Sequence, residues 1–490
     1  MATIRVDAFV APQRDADQSL VAQLVAMVRH RIELLALRPG SRLPSIRAMA
    51  DHLGVSRFTV VEAYEQLCAQ GWLQARRGAG FYVAARAVPH DGNALAVPAE
   101  GGQGERAAAP ADAAQPLDVR WLLENTLREM GGVGTLRPAS SALLPGDWLD
   151  ATMLAEATRS VARVPHASLL GYGSAQGYLP LRRTVAEHLA SVGVPADAQR
   201  NLVLTSGVTH AVDLVLRALT RPGDTVLVED PAWFLVFGRL AAAGVRVLGV
   251  PRTPHGPDLQ VLEHLARSWR PRLFLVNSVV HNPTGHSLSP RTAHALLKLA
   301  QEHDFYVLED DTYADLHPGG AIRLAALDGL ERVLLTSGYS KTLAAGLRVA
   351  WLAGDAALIA QITDVKLLSG LTTPELPERV VHTVLGSGQY ARQVQRVRQR
   401  VNEARVQLLA FLAELGYGVA QPPAAGMFVW LDCRQDSEQL ARRAVQRGLV
   451  LAPGRLFSPS QAPSTHVRIS VAAAQEPHTL ALLRQVLQSR

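Results

Sequence analysis

From about residue 135 onward, short apolar runs alternate with helix-length segments, and this alternation constrains the fold more than any other feature of the chain. Six runs read as strands: NLVLTSG (201–207), DTVLVED (224–230), VRVLGVP (245–251), RLFLVNS (272–278), FYVLEDD (305–311) and RVLLTSG (332–338). Each is rich in Val and Leu, too short for a helix, and bounded by polar or glycine residues. Helix-length segments separate most of them. Such a repeat predicts an α/β domain with a largely parallel sheet and ligands at the carboxyl ends of its strands. After about residue 385, a long amphipathic helix (Tyr390–Leu415) and a further αβ segment predict a smaller C-terminal subdomain.

A chain of 490 residues exceeds one ordinary core, so more than one domain is expected. With 48% hydrophobic and 19% charged residues and no apolar run of membrane-spanning length, the composition is that of a soluble protein with no membrane partner. The N-terminal MATIRVDAFVAPQRDADQ has no apolar signal core, which predicts a cytoplasmic location. Cys68 and Cys433 stand far apart without metal-ligand spacing, so neither a disulfide framework nor a metal site is expected.

The first 86 residues differ from the rest. They hold 11 arginines against 7 acids, in a chain whose overall net charge is only +6. That surplus suits a nucleic-acid-binding head on a nearly neutral body; an arginine-rich proteome is the plainer explanation. Leu20, Leu24, Val28, Ile32 and Leu35 repeat at helical spacing up to the turn Arg38-Pro39-Gly40. Ser45 is placed to cap a second helix carrying Ile46, Met49, Ala50 and Leu53 inward, and Gly54 ends it. Ser56 caps a third helix with Val60, Tyr64 and Leu67 inward; WLQARRGAGFYVA (72–84) then reads as two short strands around a glycine-rich tip. Two short helices joined by a tight turn can set the second into a DNA major groove, and the tip offers Arg76 and Arg77 beside it. A helical dimerisation or docking module is the competing reading. From Ala87 to about Asp118 the composition turns Ala/Pro/Gly-rich, as in a linker, and residues 119–130 read as a short helix.

In the body, lysine is the telling residue. Only Lys298, Lys341 and Lys366 occur among 49 Lys plus Arg. Arginine stays charged, whereas a lysine that is buried or beside another cation loses its proton readily. Lys341 lies in SGYSKTLAAGLR (337–348), among small and hydroxyl residues with Arg348 close by, as a Schiff-base lysine with pyridoxal phosphate (PLP) as its carbonyl partner would. Other motifs fall at predicted strand ends. TSGVTHAV (205–212) is a strand, a glycine turn and a helix start whose free N–H groups can hold a phosphate. In EDPAWF (229–234), Trp233 can cover a flat ring; in HNPTG (281–285), the Asn282 amide can bond a phenolic oxygen; EDDTY (309–313) supplies Asp310 and Tyr313. A carboxylate beside a pyridine nitrogen keeps it protonated. Taken singly these are a core tryptophan, a turn and an acidic loop end; together, in this order, they point to PLP.

RLPSIRAMADHLGVSRFTVVEAYEQLCAQGWLQARRGAGFYVA resembles the winged helix of GntR-family bacterial regulators, and the body over 135–490 resembles fold-type I aminotransferases with a large and a small subdomain. Joined by a linker, they resemble the MocR (GabR-like) subfamily. The domains expected are thus a winged helix-turn-helix over 17–86, a linker over 87–134 and an α/β PLP-binding body over 135–490. The resemblance implies DNA contacts at Arg47, Ser56, Arg57, Thr59, Arg77 and Gly78, with Phe58 where the family often has a small or polar residue. It makes Lys341 the cofactor lysine, pairs Asp310 with the pyridine nitrogen, gives Asn282 and Tyr313 the ring hydroxyl, and stacks Trp233 on the ring. The phosphate would meet Val208, Thr209, Ser340 and Arg348, plus Tyr172 of the partner subunit in a head-to-tail homodimer. Arg468, in HVRISV, matches the arginine that grips a substrate carboxylate by a bidentate fork, with a surface salt bridge as its competitor. Gly338 stands where the family has a serine, which removes one phosphate hydroxyl. The function implied is a PLP-dependent regulator that binds a double-stranded DNA operator and senses an amine, an amino acid or PLP itself. The alternatives are a working aminotransferase with a DNA-binding domain attached, and a dimerisation body that has lost its cofactor.

Overall fold

The structure, a computed structural model, describes residues 19–33, 41–69, 72–76, 80–83, 136–163, 170–319, 321–419 and 421–489. The chain divides into two compact units, Met1–Ala99 and Glu100–Arg490.

In the first unit, α1 (Leu20–Glu33), α2 (Ile46–Leu53) and α3 (Arg57–Ala69) precede the antiparallel strands β1 (Leu73–Arg76) and β2 (Gly80–Val83). Ser45 caps α2 by accepting from Ala48 N, and Gly54 closes it at φ 64°, a left-handed conformation that glycine adopts without strain. Leu24, Val28, Met49, Leu53, Val60, Tyr64 and Leu67 form the core, each contributing about 1.5–3 kcal/mol by leaving water. The expected inward faces of α2 and α3, Leu24 and Val28 of α1, and both wing strands are therefore present; the Ile32 side chain, Leu35, the wing tip and the expected linker with its short helix lie outside the described residues.

The second unit holds an eight-stranded sheet in the order β3 (Leu202–Thr205), β10 (Ala350–Ala353), β9 (Val333–Gly338), β8 (Tyr306–Asp310), β7 (Leu273–Val276), β4 (Thr225–Asp230), β5 (Arg246–Thr253), β6 (Gly256–Pro257). Strands β9, β8, β7, β4 and β5 run parallel. β10 is antiparallel to both neighbours, so β3 points the same way as β9. Six strands thus send their carboxyl ends to one edge of the sheet. All six expected strands lie within this sheet; β6 and β10 are additions. Val and Leu side chains fill both faces of the sheet, in two clusters.

A second, three-stranded antiparallel sheet, β11 (Phe428–Asp432), β13 (His466–Ser470) and β12 (Ala452–Pro453), packs with the long helix Gln389–Glu414 in a core of its own. This is the expected small subdomain. No helix of the described residues is long and apolar enough to cross a membrane.

Candidate cofactor pocket and helix-turn-helix

The carboxyl ends of β3, β4, β7, β8 and β9 are followed by the motif residues, so the sheet itself gathers them. After β3, the helix Val208–Leu219 starts at Gly207, which has no capping side chain and φ 88°. The amide N–H groups of Val208 and Thr209 have no internal acceptor among the described residues. Arg348, after β9, donates from Nη2 to Ser206 O (3.2 Å) and Thr209 Oγ1 (3.3 Å), and from Nη1 to Ser340 Oγ (3.5 Å). A Cβ on Gly207 would lie 2.0 Å from Arg348 Nη2, so only glycine lets the guanidinium come this close. Two free amides, a guanidinium and two hydroxyls form a cradle that could hold a phosphate.

The EDD motif sends its three carboxylates to different tasks. Glu309 accepts from Leu324 N (2.9 Å) and Ala325 N (2.8 Å) at a helix start, and Asp311 takes Arg323 Nε at 2.7 Å. Asp310 alone faces the pocket. Its Oδ1 accepts from Thr312 N at 3.0 Å and from the Thr312 hydroxyl, and its other oxygen has no partner among the described residues. Burial raises the pKa of Asp310, while the Thr312 bonds and the charge of Lys341 oppose that shift. Asp310 and Trp233 line one small cavity of about 40 Å³.

Asn282 Nδ2 donates to Tyr313 Oη at 3.2 Å, and Asn282 Oδ1 accepts from Arg468 Nη1 at 2.8 Å. Burial pushes the Tyr313 hydroxyl well above its ordinary range, so it stays a phenol. Lys341 Nζ lies 5.8 Å from the Tyr313 ring centre and donates to Ala142 O at 2.9 Å. Burial, then Arg468 and Arg348, lower the Lys341 amine to about 8 against the opposing pull of Asp310. Contacts link these residues in two groups: Lys341 lies by Tyr313, which Asn282 holds, and Arg348 reaches Ser340 and Thr209; the charges of Asp310 and Arg348 act on Lys341 between them. Their amides, guanidinium and hydroxyls suit a phosphate, the Asn282–Tyr313 pair a phenolic oxygen, the Asp310 carboxylate a protonated pyridine nitrogen and the Lys341 amine an aldehyde, so the residues fit PLP.

Three sequence expectations gain detail. Arg468 is 2% exposed, caged by Phe428 (4.3 Å), Phe457 (5.0 Å) and Phe234 (5.5 Å), which excludes the surface salt bridge. Its Nη2 donates to Ser140 O at 2.7 Å, its Nε has no partner among the described residues, and burial lowers its pKa to about 10. Tyr172 is 80% exposed and makes no hydrogen bond to the pocket of its own chain among the described residues. A Cβ at Gly338 would approach Ala350 Cβ to 2.8 Å, so the missing serine follows from the close pairing of β9 with β10.

Sequence reasoning missed buried groups that line the same small cavity as Asp310 and Trp233. Glu229 pairs with Arg252, accepts from Asn277 N at 2.8 Å and lies 3.5 Å from His281 Nε2. Burial and then Arg252 hold His281 neutral, far below the usual histidine range. Glu229 and His281 lie inside the EDPAWF and HNPTG motifs, which was the available signal.

In the head, the Ser56 hydroxyl accepts from Thr59 N at 3.0 Å and shares a hydrogen bond with Thr59 Oγ1 at 2.8 Å. Both hydroxyls are therefore engaged at the start of α3. The Arg57 side chain is exposed, Phe58 is 76% exposed, and Arg47 is 78% exposed with Asp51 3.8 Å away. Arg77 and Gly78 lie outside the described residues.

Residues 142–487, most of the chain, match the model for aminotransferase class I and II. The chain belongs to the class I and II aminotransferase family. Ahead of this aminotransferase body, residues 20–83 match the bacterial regulatory proteins of the gntR family. The chain is 27% identical to the uncharacterized HTH-type transcriptional regulator YdcR of Escherichia coli, over 96% of this chain and 99% of that one. It is 29% identical to the probable rhizopine catabolism regulatory protein MocR of Rhizobium meliloti, over 79% and 76%. Among solved structures it resembles LysN, an alpha-aminoadipate aminotransferase from Thermus thermophilus complexed with N-(5'-phosphopyridoxyl)-L-leucine. That likeness has a TM-score of 0.67 and 27% identity, and covers 74% of this chain and 94% of LysN. A GntR head on a class I and II aminotransferase body is the MocR-like arrangement that the motifs implied.

Proposed function

We propose that this protein is a transcriptional regulator that binds operator DNA through residues 17–86 and senses an amino acid or amine through a PLP-holding body over 135–490, the two joined by a linker over 87–134. The reading is supported by the nearness of Lys341 to Tyr313 and to the charges of Asp310 and Arg348, with Asn282 bonded to Tyr313, in a chain with a GntR head. Bound there, the cofactor supplies an aldehyde that captures primary amines and a ring that withdraws electrons from the captured carbon.

The protein's own groups have distinct tasks. Lys341 would hold the cofactor through Nζ, and its amine, lowered to about 8, could give up or take up a proton there near neutral pH. Asp310 keeps a proton at the pyridine nitrogen, and Asn282 with Tyr313 orients the ring hydroxyl. Val208, Thr209, Ser340 and Arg348 anchor the phosphate, Trp233 covers the ring, and Arg468 receives an effector carboxylate. Tyr172 is exposed as a residue serving the other protomer of a head-to-tail homodimer must be. Arg47 and Arg57 are free to reach DNA, joined by Arg77 and Gly78 at the wing; Ser56 and Thr59 fix the start of the recognition helix. A DNA-binding regulator of this kind works in the cytoplasm. An effector shifts the heads only if it binds two body conformations with different affinities.

Full transamination is the second reading. Its support is the complete donor set around a lysine whose amine, lowered to about 8, can move protons near neutral pH. The test is the absorption spectrum of PLP-loaded protein titrated with amino acids and amines, with and without a keto acid. A sensor changes spectrum on ligand binding and does not proceed to the pyridoxamine form. A catalyst reaches that form and is restored by the keto acid.

A further inference from the structure

The groups assigned to the cofactor's ring nitrogen and ring hydroxyl sit on different elements: Asp310 at the end of β8, Asn282 in the loop after β7. One side chain joins them. Asn277 follows β7, and its Nδ2 donates to Asp310 O at 2.6 Å and to Val279 O at 3.3 Å. Its Oδ1 accepts from Asn282 N at 2.7 Å. These partners fix the amide orientation, because two carbonyl oxygens need a donor and an N–H needs an acceptor.

Asn277 is itself clamped on both sides of its backbone. Glu229 Oε2 accepts from Asn277 N at 2.8 Å, and Arg252 Nη1 donates to Asn277 O at 3.2 Å. The Glu229 and Arg252 side chains pair with each other and are almost wholly buried. Arg252 Nη2 also donates to His286 O at 3.3 Å, and only its Nε lacks a partner among the described residues, so the buried pair is held from several sides.

We propose that Asn277 is a positioning residue for the cofactor: its amide sets the separation between Asp310 and Asn282, with Glu229 and Arg252 as its fixed base. The inference rests on the assignment of this pocket to PLP. Asn277 lines the same small cavity as Asp310 and Trp233, and its amide is engaged by backbone atoms of Asp310, Val279 and Asn282, so it acts through its neighbours. Such supporting groups determine whether a site holds its geometry to a fraction of an ångström. An aspartate here keeps the shape but turns an acceptor toward the Asp310 and Val279 carbonyl oxygens, and an alanine removes all three bonds.

The test uses full-length wild type, Asn277→Asp, Asn277→Ala and, as a stability control, Leu334→Ala in the core of β9. Each is titrated with PLP by absorbance, its visible spectrum is followed against pH, and its cofactor-free thermal unfolding is recorded. Asn277→Asp and Asn277→Ala should bind PLP about tenfold more weakly or worse, and the midpoint of the pH-dependent colour change should move. Leu334→Ala should unfold at lower temperature with an unmoved midpoint. Should Asn277→Ala fail to fold, Asn277→Ser, which keeps one hydroxyl partner, gives the same comparison. Folded Asn277 variants with wild-type PLP affinity and midpoint overturn the proposal. A midpoint that moves equally in Leu334→Ala reduces Asn277 to a stability role. A wild type that takes up no PLP overturns the pocket assignment, and this inference with it.

Discussion

Lys341 donates its Nζ proton to the carbonyl oxygen of Ala142 at 2.9 Å, and Arg468 holds the carbonyl of Ser140, two residues earlier, at 2.7 Å. Two of the site's cations are thus bound to a single stretch of backbone. A cofactor at Lys341 and a carboxylate at Arg468 each compete with that stretch for the same donors, and several outcomes follow from the groups involved.

Only the neutral amine of Lys341 attacks an aldehyde. Burial and the nearby guanidinium groups lower its pKa to about 8, so the protonated form grows as pH falls below that value. The rate of PLP capture should therefore rise through pH 8 and level off above it, losing about tenfold per unit well below. Stopped-flow absorbance checks this. A rate that keeps rising to pH 10 shows an ordinary lysine.

Gly207→Ala should damage the phosphate cradle selectively. The new Cβ would lie 2.0 Å from Arg348 Nη2, at a residue whose φ is 88°. Stability should drop by about 1–3 kcal/mol from backbone strain, and PLP affinity should fall further than pyridoxal affinity, which lacks the phosphate. Equal losses for the two ligands contradict a phosphate role.

Arg468→Lys keeps the charge but cannot bond Asn282 Oδ1 and Ser140 O with one fork. Response to amino acids should disappear while response to simple amines and PLP uptake persist. The titration is spectroscopic, with an amino acid and its decarboxylated amine compared side by side.

In the head, Arg57→Ala should weaken DNA binding and lower its salt slope by about one, because one phosphate contact is lost. Ser56→Ala should act differently. It removes the cap that accepts from Thr59 N, costing about 1 kcal/mol of head stability, and should leave the salt slope unchanged.

What could be read from the sequence was local. The cap at Ser45, the stop at Gly54 and the inward faces of α2 and α3 depend on neighbours a few residues away, and the structure has them as expected. The six strands were legible because each carries a short apolar run, continuously buried in β3, β4 and β9 and only partly buried in β5. β10 was not, since Ala350–Ala353 is short and its antiparallel place between β3 and β9 is fixed by partners far off in the chain. The same holds for the pocket. Lys341, Asp310 and Asn282 stand in recognisable motifs, whereas Asn277 and Arg252 matter through bonds to Asp310, Asn282 and Glu229, which no spacing rule reveals.

The most direct test of the account is the visible absorption of wild-type protein and Lys341→Ala after incubation with PLP and removal of the free cofactor. The account predicts a retained absorption band in the wild type and none in Lys341→Ala. A colourless wild type, or an equal band in both proteins, would contradict it.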